Sequence, residues 1–141
     1  MKKRALFALL LCVAPLSACS SDSDQGPQFT EDPFTSADMN GVVLMLVPDT
    51  PVGGIERWEY EFTGSTVKGC NIERVYNATG WQLIDSKTVR VNFGGQWEQY
   101  ELVNYTGRVA TGDLRGTFNY TSSPGVTMTG TLAQTSQTIF C

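Results

Sequence analysis

From Gly41 onward the chain consists of short apolar segments separated by glycine-rich turns. The segment 55–62 shows the pattern best, because Trp58, Tyr60 and Phe62 alternate there with charged residues. A period of two predicts a β-strand with one buried and one solvated face. Further strands are expected within the segments 42–47, 67–76, 81–84, 89–93, 96–105, 114–120, 126–132 and 135–141. No segment of the sequence has the 3.6-residue apolar stripe of an amphipathic helix.

The spacing of these segments predicts an all-β fold. We expect a single small antiparallel meander of about eight strands, closed as a barrel or folded as a sandwich. A turn is expected at Asn77–Gly80, after the strand 67–76. Glycines suit the kinks and corners of a barrel. The pattern alone does not separate a barrel from a two-sheet sandwich.

The last hairpin can be predicted in more detail. A five-residue loop at 121–125 would place Tyr120 opposite Val126, because partners across a hairpin share a face. The same register would place Gly116 opposite Gly130. Two opposed glycines would leave a dent in the apolar face, into which a tryptophan ring could pack.

The first nineteen residues follow a different pattern. The cationic stretch Lys2-Lys3-Arg4 precedes an apolar run from Ala5 to Pro15. That run is shorter than the ~20 residues that cross a bilayer, and the arrangement is typical of a secretory signal. It ends in Leu16-Ser17-Ala18-Cys19, which resembles the lipobox of bacterial lipoproteins. An ordinary signal peptide with a chance cysteine is the alternative.

The lipobox resemblance implies a division of the chain into three parts. Residues 1–18 would be a cleaved signal peptide, and Cys19 would become the first residue and carry the acyl chains, such as palmitate. We expect residues 19–40 to form a flexible acidic tether, since polar residues dominate there and cannot offset the entropy cost of ordering. Phe29 and Phe34 are the tether residues best suited to dock onto the domain. The β-domain would span residues 41–141.

The same resemblance implies a location in the cell envelope. In lipoproteins of double-membrane bacteria, aspartate directly after the lipidated cysteine retains the protein at the inner membrane. Ser20 stands at that position here, so the expected location is the outer membrane, on either its periplasmic or its surface face. Removal of the signal takes the formal charge from −4 to −7. An acidic chain has no basic footprint for nucleic acid, so the expected partner is the membrane, reached through the acyl chains.

The four cysteines separate by context. Cys12 lies in the signal and Cys19 at the lipidation site, which leaves Cys70 and Cys141. Two remaining cysteines in an oxidising compartment usually form a disulfide. Free thiols and a metal site are the alternatives, but a metal needs more ligands than two cysteines, and the chain has no histidine. We therefore expect a Cys70–Cys141 disulfide, no metal and no cofactor.

Catalytic chemistry is poorly supported by the sequence. Without histidine, the usual base of serine and cysteine nucleophiles is missing. Glu59 and Glu61 would lie about 7 Å apart on one strand face, a spacing compatible with paired-carboxylate chemistry. A solvated outer face is the preferred explanation of the pair. Glu98 and Glu101 differ in parity and should face opposite sides of their strand. We expect no catalytic residues and no enzymatic activity.

The aromatic residues permit a binding site. Trp97, Tyr100 and Tyr105 are the candidate ligand-binding residues, because their strand carries aromatic side chains on both faces. The alternative is that these rings simply fill the core. We expect a non-catalytic binding module that contacts an envelope protein or polymer. The alternative is a lipocalin-like carrier of a small apolar or amphipathic ligand, which an aromatic-lined interior cavity would favour.

The lipid anchor can be tested directly. Replacing Cys19 with serine removes the thiol to which the diacylglyceryl group would be attached. Acylation and partitioning into the membrane fraction should both be lost, as measured by mass spectrometry and by cell fractionation. Unchanged membrane association would contradict the anchor.

Overall fold

The computed structural model describes residues 32–123, 125–138 and 140–141. The helical structure in these ranges is limited to two short 3-10 turns, Ser36–Asp38 and Val109–Thr111. The remaining elements are nine strands: β1 Val43–Pro48, β2 Trp58–Thr63, β3 Thr66–Cys70, β4 Val75–Ala78, β5 Gly80–Asp85, β6 Thr88–Asn92, β7 Trp97–Thr106, β8 Arg115–Ser122 and β9 Thr127–Thr135. The predicted all-β class is confirmed.

The strands form one antiparallel sheet that curls into a nearly closed barrel. Their order is β4-β3-β2-β1-β9-β8-β7-β6-β5, so β1 pairs with both β2 and β9. The two edge strands, β4 and β5, are separated in the chain only by Thr79, and the pairings give them the same direction. Together they make one long strand that pairs first with β3 and then with β6. If β4 and β5 are counted as one strand, the barrel has eight strands in up-and-down order. The sheet is therefore a barrel and not a sandwich.

The seam between the two edges is held by side chains as well as by the backbone. The Thr79 N–H donates to the carbonyl oxygen of Asn92 over 2.8 Å. The Trp81 indole N–H donates to the Gly64 carbonyl over 2.9 Å, and its ring packs edge-on against Phe62 with 5.5 Å between centroids. The Trp81 contacts join β5 to the β2–β3 hairpin across the gap in the sheet, and the Thr79 bond joins the β4–β5 junction to β6.

The barrel interior is filled by the alternating apolar residues that the sequence pattern predicts. Strand β2 illustrates the alternation, since Trp58, Tyr60 and Phe62 point inward and are buried. Residues from the other strands complete the packing: Leu44, Leu46, Val67, Val89, Val91, Tyr100, Leu102, Phe118, Tyr120 and Leu132. Such burial contributes about 25 cal/mol for each Å² of apolar surface.

One end of the barrel is closed by the segment that precedes β1. Phe34 and Met39 are buried in the core, although both belong to the stretch in which the tether was expected. The Phe34 N–H donates to the Ser86 carbonyl over 3.1 Å, and the Pro33 carbonyl accepts from the Val109 N–H over 2.9 Å. We call this the closed end. The open end is formed by the loops that join β1 to β2, β3 to β4, β6 to β7 and β8 to β9.

The chain after β9 crosses the outside of the sheet toward β3. Cys141 forms the predicted disulfide with Cys70, with 5.5 Å between the Cα atoms. The Phe140 N–H donates to the Glu59 carboxylate over 3.1 Å, and the Arg57 guanidinium lies 4.8 Å from the centre of the Phe140 ring. Glu59 does point outward, but its exposed fraction is 0%. The interpretation of Glu59 as a solvated residue is wrong, because the disulfide draws the C-terminal segment over it.

The register of the β8–β9 hairpin differs from the prediction by two residues. Tyr120 lies opposite Met128, and Phe118 opposite Gly130. Strand β8 extends to Ser122, whose N–H donates to the Val126 carbonyl over 3.0 Å and closes the hairpin beyond the expected pair. The expected dent between opposed glycines is therefore absent from this hairpin.

The expected strand 67–76 is broken by a turn that the sequence analysis misplaced. The side-chain oxygen of Asn71 accepts from the N–H groups of Glu73 and Arg74, each over 2.9 Å. An asparagine that bonds to the backbone two and three residues ahead stabilises a turn. The turn expected at Asn77–Gly80 is instead the point where the edge strand changes partner.

Removal of the disulfide should destabilise the fold. Closing a loop of 71 residues contributes roughly 4 kcal/mol in the chain-entropy model. A Cys70→Ser, Cys141→Ser double variant should lose stability of this order in urea unfolding. The reduced wild-type protein is the matched comparison and should unfold at the same urea concentration as the variant. Equal stability of the oxidised and variant proteins would contradict a stabilising bridge.

Candidate functional site

A cluster of tyrosines surrounds one carboxylate at the open end. Glu98 lies near the start of β7 and points inward, on the same face as Tyr100. Its Oε2 atom accepts hydrogen bonds from the Tyr100 hydroxyl, over 2.9 Å, and from the Tyr60 hydroxyl, which reaches across the barrel from β2. The two phenol oxygens are themselves 2.9 Å apart. The Trp58 indole N–H donates to the Tyr100 oxygen over 3.2 Å, so the network includes the first residue of β2.

Tyr76 and Tyr120 complete the cluster from β4 and β8. Tyr76 pairs with Gly69 across β3, and a Cβ atom at residue 69 would collide with the Tyr76 ring. The absence of a side chain at Gly69 therefore lets this ring lie across β3 and reach Tyr60, 6.5 Å away between centroids. The Tyr120 ring lies 5.2 Å from Tyr100 and is inclined to it by 56°. The rings are inclined to one another and not stacked, so they form the walls of a cavity.

Burial and the Glu98 charge keep the phenols protonated. Desolvation, and next the charge of Glu98, raise the pKa of Tyr76 to about 12 and that of Tyr120 to about 12. Desolvation raises the pKa of Tyr60 and of Tyr100 well above the ordinary value. At neutral pH all four phenols are therefore uncharged, and each hydroxyl has one proton to donate.

Two cavities border the cluster. The first has a volume of about 150 Å³ and is lined by Trp58, Tyr76, Tyr100, Tyr120 and Glu98, together with Val52, Ile55, Asn71 and Met128. The second has a volume of about 310 Å³, shares Tyr76, Tyr120 and Glu98 with the first, and extends over Phe93, Gln96, Trp97, Ser122 and Ser123. Small-molecule sites occupy ~300–1,000 Å³ and combine apolar walls with a few placed polar groups. The second cavity reaches the lower limit of that range and the first lies below it, and both combine apolar walls with a few polar groups.

The charge at this site is negative. Among the described residues that line the two cavities, Glu98 is the one carboxylate and none is lysine or arginine. Arg90 lies nearby in the sheet but on the outer face, where its guanidinium covers the Trp97 ring at 4.4 Å and donates to Gln99. A ligand that enters the first cavity therefore meets one carboxylate, uncharged phenols and apolar side chains.

The three predicted ligand-binding residues are not brought together. Tyr100 lies at the centre of the cluster, and Trp97 lies on the rim of the second cavity. Tyr105 lies toward the closed end, where it pairs with Gly116. The register of β7 shifts between Leu102 and Asn104. This irregularity turns Tyr105 to the inner face, whereas Trp97 lies on the outer face. Cys19 lies outside the described residues.

Glu98 is the main site residue that sequence reasoning missed. Its opposite orientation to Glu101 was predicted correctly, since Glu98 points inward and Glu101 is exposed. The missed signal was its spacing of two and four residues from Tyr100 and Leu102. In a strand, this spacing places all three side chains on the same, buried face. The partners of Glu98 were not predictable in the same way, because Tyr60 and Tyr76 come from strands that β7 does not pair with.

Comparisons with known proteins do not extend this description. The chain matches no model of a protein family, no curated protein and no solved structure. Within residues 32–141, as far as the structure describes them, no three histidine, cysteine or acidic side chains are grouped closely enough to hold a metal ion. The described part of the chain also contains no helix of the length and hydropathy needed to cross a membrane. The site must be interpreted from its own geometry.

The tyrosine cluster should make stability fall at alkaline pH. Tyrosines of the unfolded chain ionise near pH 10, whereas Tyr76 and Tyr120 keep their protons up to about pH 12 in the folded state. Between these values the unfolded state binds fewer protons, so each such tyrosine lowers the free energy of unfolding by up to about 1.4 kcal/mol per pH unit. Urea unfolding over this pH range measures the slope.

The Tyr120→Phe variant provides the control. It removes one titrating phenol and keeps the ring, so stability should fall less steeply with pH than in the wild-type protein. In Glu98→Gln the pKa of Tyr76 should be lower, which near-ultraviolet phenolate absorbance detects. Identical tyrosine titration curves for the native and the urea-unfolded protein would contradict the described network.

Proposed function

We propose that this protein is a lipid-anchored, non-catalytic binding protein of the cell envelope, held at the outer membrane by acyl chains on Cys19. Its binding site is the pair of cavities at the open end of the barrel. The observation that supports this proposal is the cluster of tyrosines around Glu98 at the mouth of an otherwise filled barrel. The Tyr60 and Tyr100 hydroxyls donate to the Glu98 carboxylate, and the Trp58 indole N–H donates to Tyr100. Polar groups converging in an apolar cavity are typical of a ligand site.

The filling of the interior limits the size of the ligand. Below the cluster the barrel is packed with large side chains such as Phe62, Phe118 and Leu132, each with 1% exposure or less. At the end near Glu98, the described residues leave about 150 Å³ in the inner cavity. This arrangement supports a small ligand, or one group of a larger ligand, held at the mouth. It does not favour a carrier that encloses a long apolar molecule.

The direction of the barrel is compatible with an anchor on the preceding segment. The described chain enters at the closed end, where Phe34 and Met39 are buried. The cavities are at the opposite end. If Cys19 holds the chain at the membrane, the closed end is the one linked to the bilayer and the open end is accessible to solutes.

A second candidate function is contact with an envelope protein or polymer. Five of the seven exposed large aliphatic residues in the described part of the chain lie at the open end: Val47, Val52, Ile72, Val75 and Val126. Ile72 is 83% exposed. Exposed apolar side chains that cluster beside a cavity are typical of an interaction surface, so a macromolecular partner that inserts one group into the cavity would use both features.

The small-ligand proposal can be tested by native mass spectrometry. Full-length protein purified in an uncharged detergent is incubated with an extract of its own cell envelope, repurified and weighed intact. We expect a mass increment of small-molecule size. A Met128→Trp variant, which fills the first cavity from its rim, should lose the increment.

The matched control is Val103→Trp, which adds the same ring on an exposed position far from the open end. It should retain the bound mass. Equal retention by both variants, or the bare mass throughout, would contradict a small-ligand site at the open end. A polypeptide-sized increment would support the second candidate function.

A further inference from the structure

We infer that the first cavity binds a compact organic ammonium cation, such as the trimethylammonium group of choline. This inference rests on the proposed ligand site and specifies the chemistry of its ligand.

The walls are aromatic on several sides. Trp58, Tyr76, Tyr100 and Tyr120 all line the cavity. The rings of Trp58 and Tyr100 are inclined by 51° with centroids 6.4 Å apart, and those of Tyr100 and Tyr120 by 56° at 5.2 Å. Rings set at such angles around one space resemble a box. Aromatic boxes bind ammonium groups because the negative faces of the rings attract a cation within ~6 Å.

The charge of the cavity is negative. Glu98 contributes a negative charge, and no lysine or arginine is among the described residues that line either cavity. The Oε2 atom of its carboxylate accepts hydrogen bonds from the uncharged phenols of Tyr60 and Tyr100. These bonds orient the carboxylate without neutralising it. A cationic ligand would supply the missing positive charge, whereas an anionic ligand would be repelled.

The volume selects a compact headgroup. The first cavity has a volume of about 150 Å³, about half of the ~300 Å³ at which small-molecule sites begin. It therefore fits one compact group rather than a whole ligand. The second cavity continues from the shared residues Tyr76, Glu98 and Tyr120, and it offers room for the rest of a ligand, with the serine side chains of residues 122 and 123 as polar partners.

Titration calorimetry with choline and its neutral carbon isostere tests the inference, using full-length protein in an uncharged detergent. Choline should bind, and the isostere, which has the same shape but no charge, should bind at least about tenfold more weakly. Glu98→Gln should weaken choline binding by at least about tenfold, because a charged partner becomes neutral. Glu61→Gln removes a charge from the outer face of the barrel and should leave the affinity unchanged.

An independent readout locates the ligand. The indole N–H of Trp58 is bonded to Tyr100 at the cavity wall, so its NMR resonance should shift when choline is added. The resonance of Trp81, which is bonded to Gly64 at the seam, should stay in place. Assignment by Trp58→Phe identifies the signal. A shift confined to Trp81 would overturn the assigned location.

The outcomes separate the inference from the proposed function. Equal binding of choline and its isostere, or no binding of either while the envelope extract still yields a small bound mass, would overturn the cation inference and leave the ligand site standing. No binding together with no bound mass would overturn both. Tighter binding of a short-chain phosphatidylcholine than of choline would support the cation inference and identify a lipid headgroup as its source; the reverse would identify a free solute.

Discussion

The hydrogen bonds between Glu98 and the phenols of Tyr60 and Tyr100 are the interactions on which the open end depends. A carboxylate that points into an apolar barrel loses water, and an unpaired charge there would cost several kcal/mol. Hydrogen bonds to a charged group contribute about 1.5–3 kcal/mol each and offset much of that cost. The same bonds hold the rings in place from opposite sides of the barrel. The carboxylate therefore organises the site as well as charging it.

This arrangement is possible only because the sheet closes. Tyr60 and Glu98 belong to β2 and β7, which are separated by three strands in the order of the sheet. In an open sheet their side chains would not meet. The change of partner at Thr79 and the Trp81 contacts bring the two edges together. The site therefore exists only when the sheet is closed.

Glycine has a specific structural role beside the site and beside the core. Gly69 leaves the space that the Tyr76 ring occupies, and Gly130 leaves the space that Phe118 occupies on the neighbouring strand. In both cases a large ring covers a glycine on the paired strand, and any larger residue there would displace the ring. Position 69 thus controls whether Tyr76 reaches the cluster.

The sequence predicts what depends on regular periodicity, and it fails where a single side chain, a strand irregularity or a distant segment decides the structure. Spacing and context predict three features: the strand alternation around Trp58 and Tyr100, the antiparallel meander and the Cys70–Cys141 disulfide. The turn at Asn71, the shift in β7 that rotates Tyr105 and the cover over Glu59 are not predicted, because each depends on one local hydrogen-bond pattern or on a segment distant in the chain. The cluster around Glu98 belongs to the second group, although its inward parity was visible.

A crystal structure of the protein purified from its own cell envelope would test the central claim most directly. The claim is that the open end is a ligand site built around Glu98. The account predicts non-protein electron density in the first cavity, in contact with the rings of Trp58 and Tyr120 and within reach of the Glu98 carboxylate. A cavity that is closed by rotation of these rings, or that holds only ordered water bonded to Glu98, would contradict it.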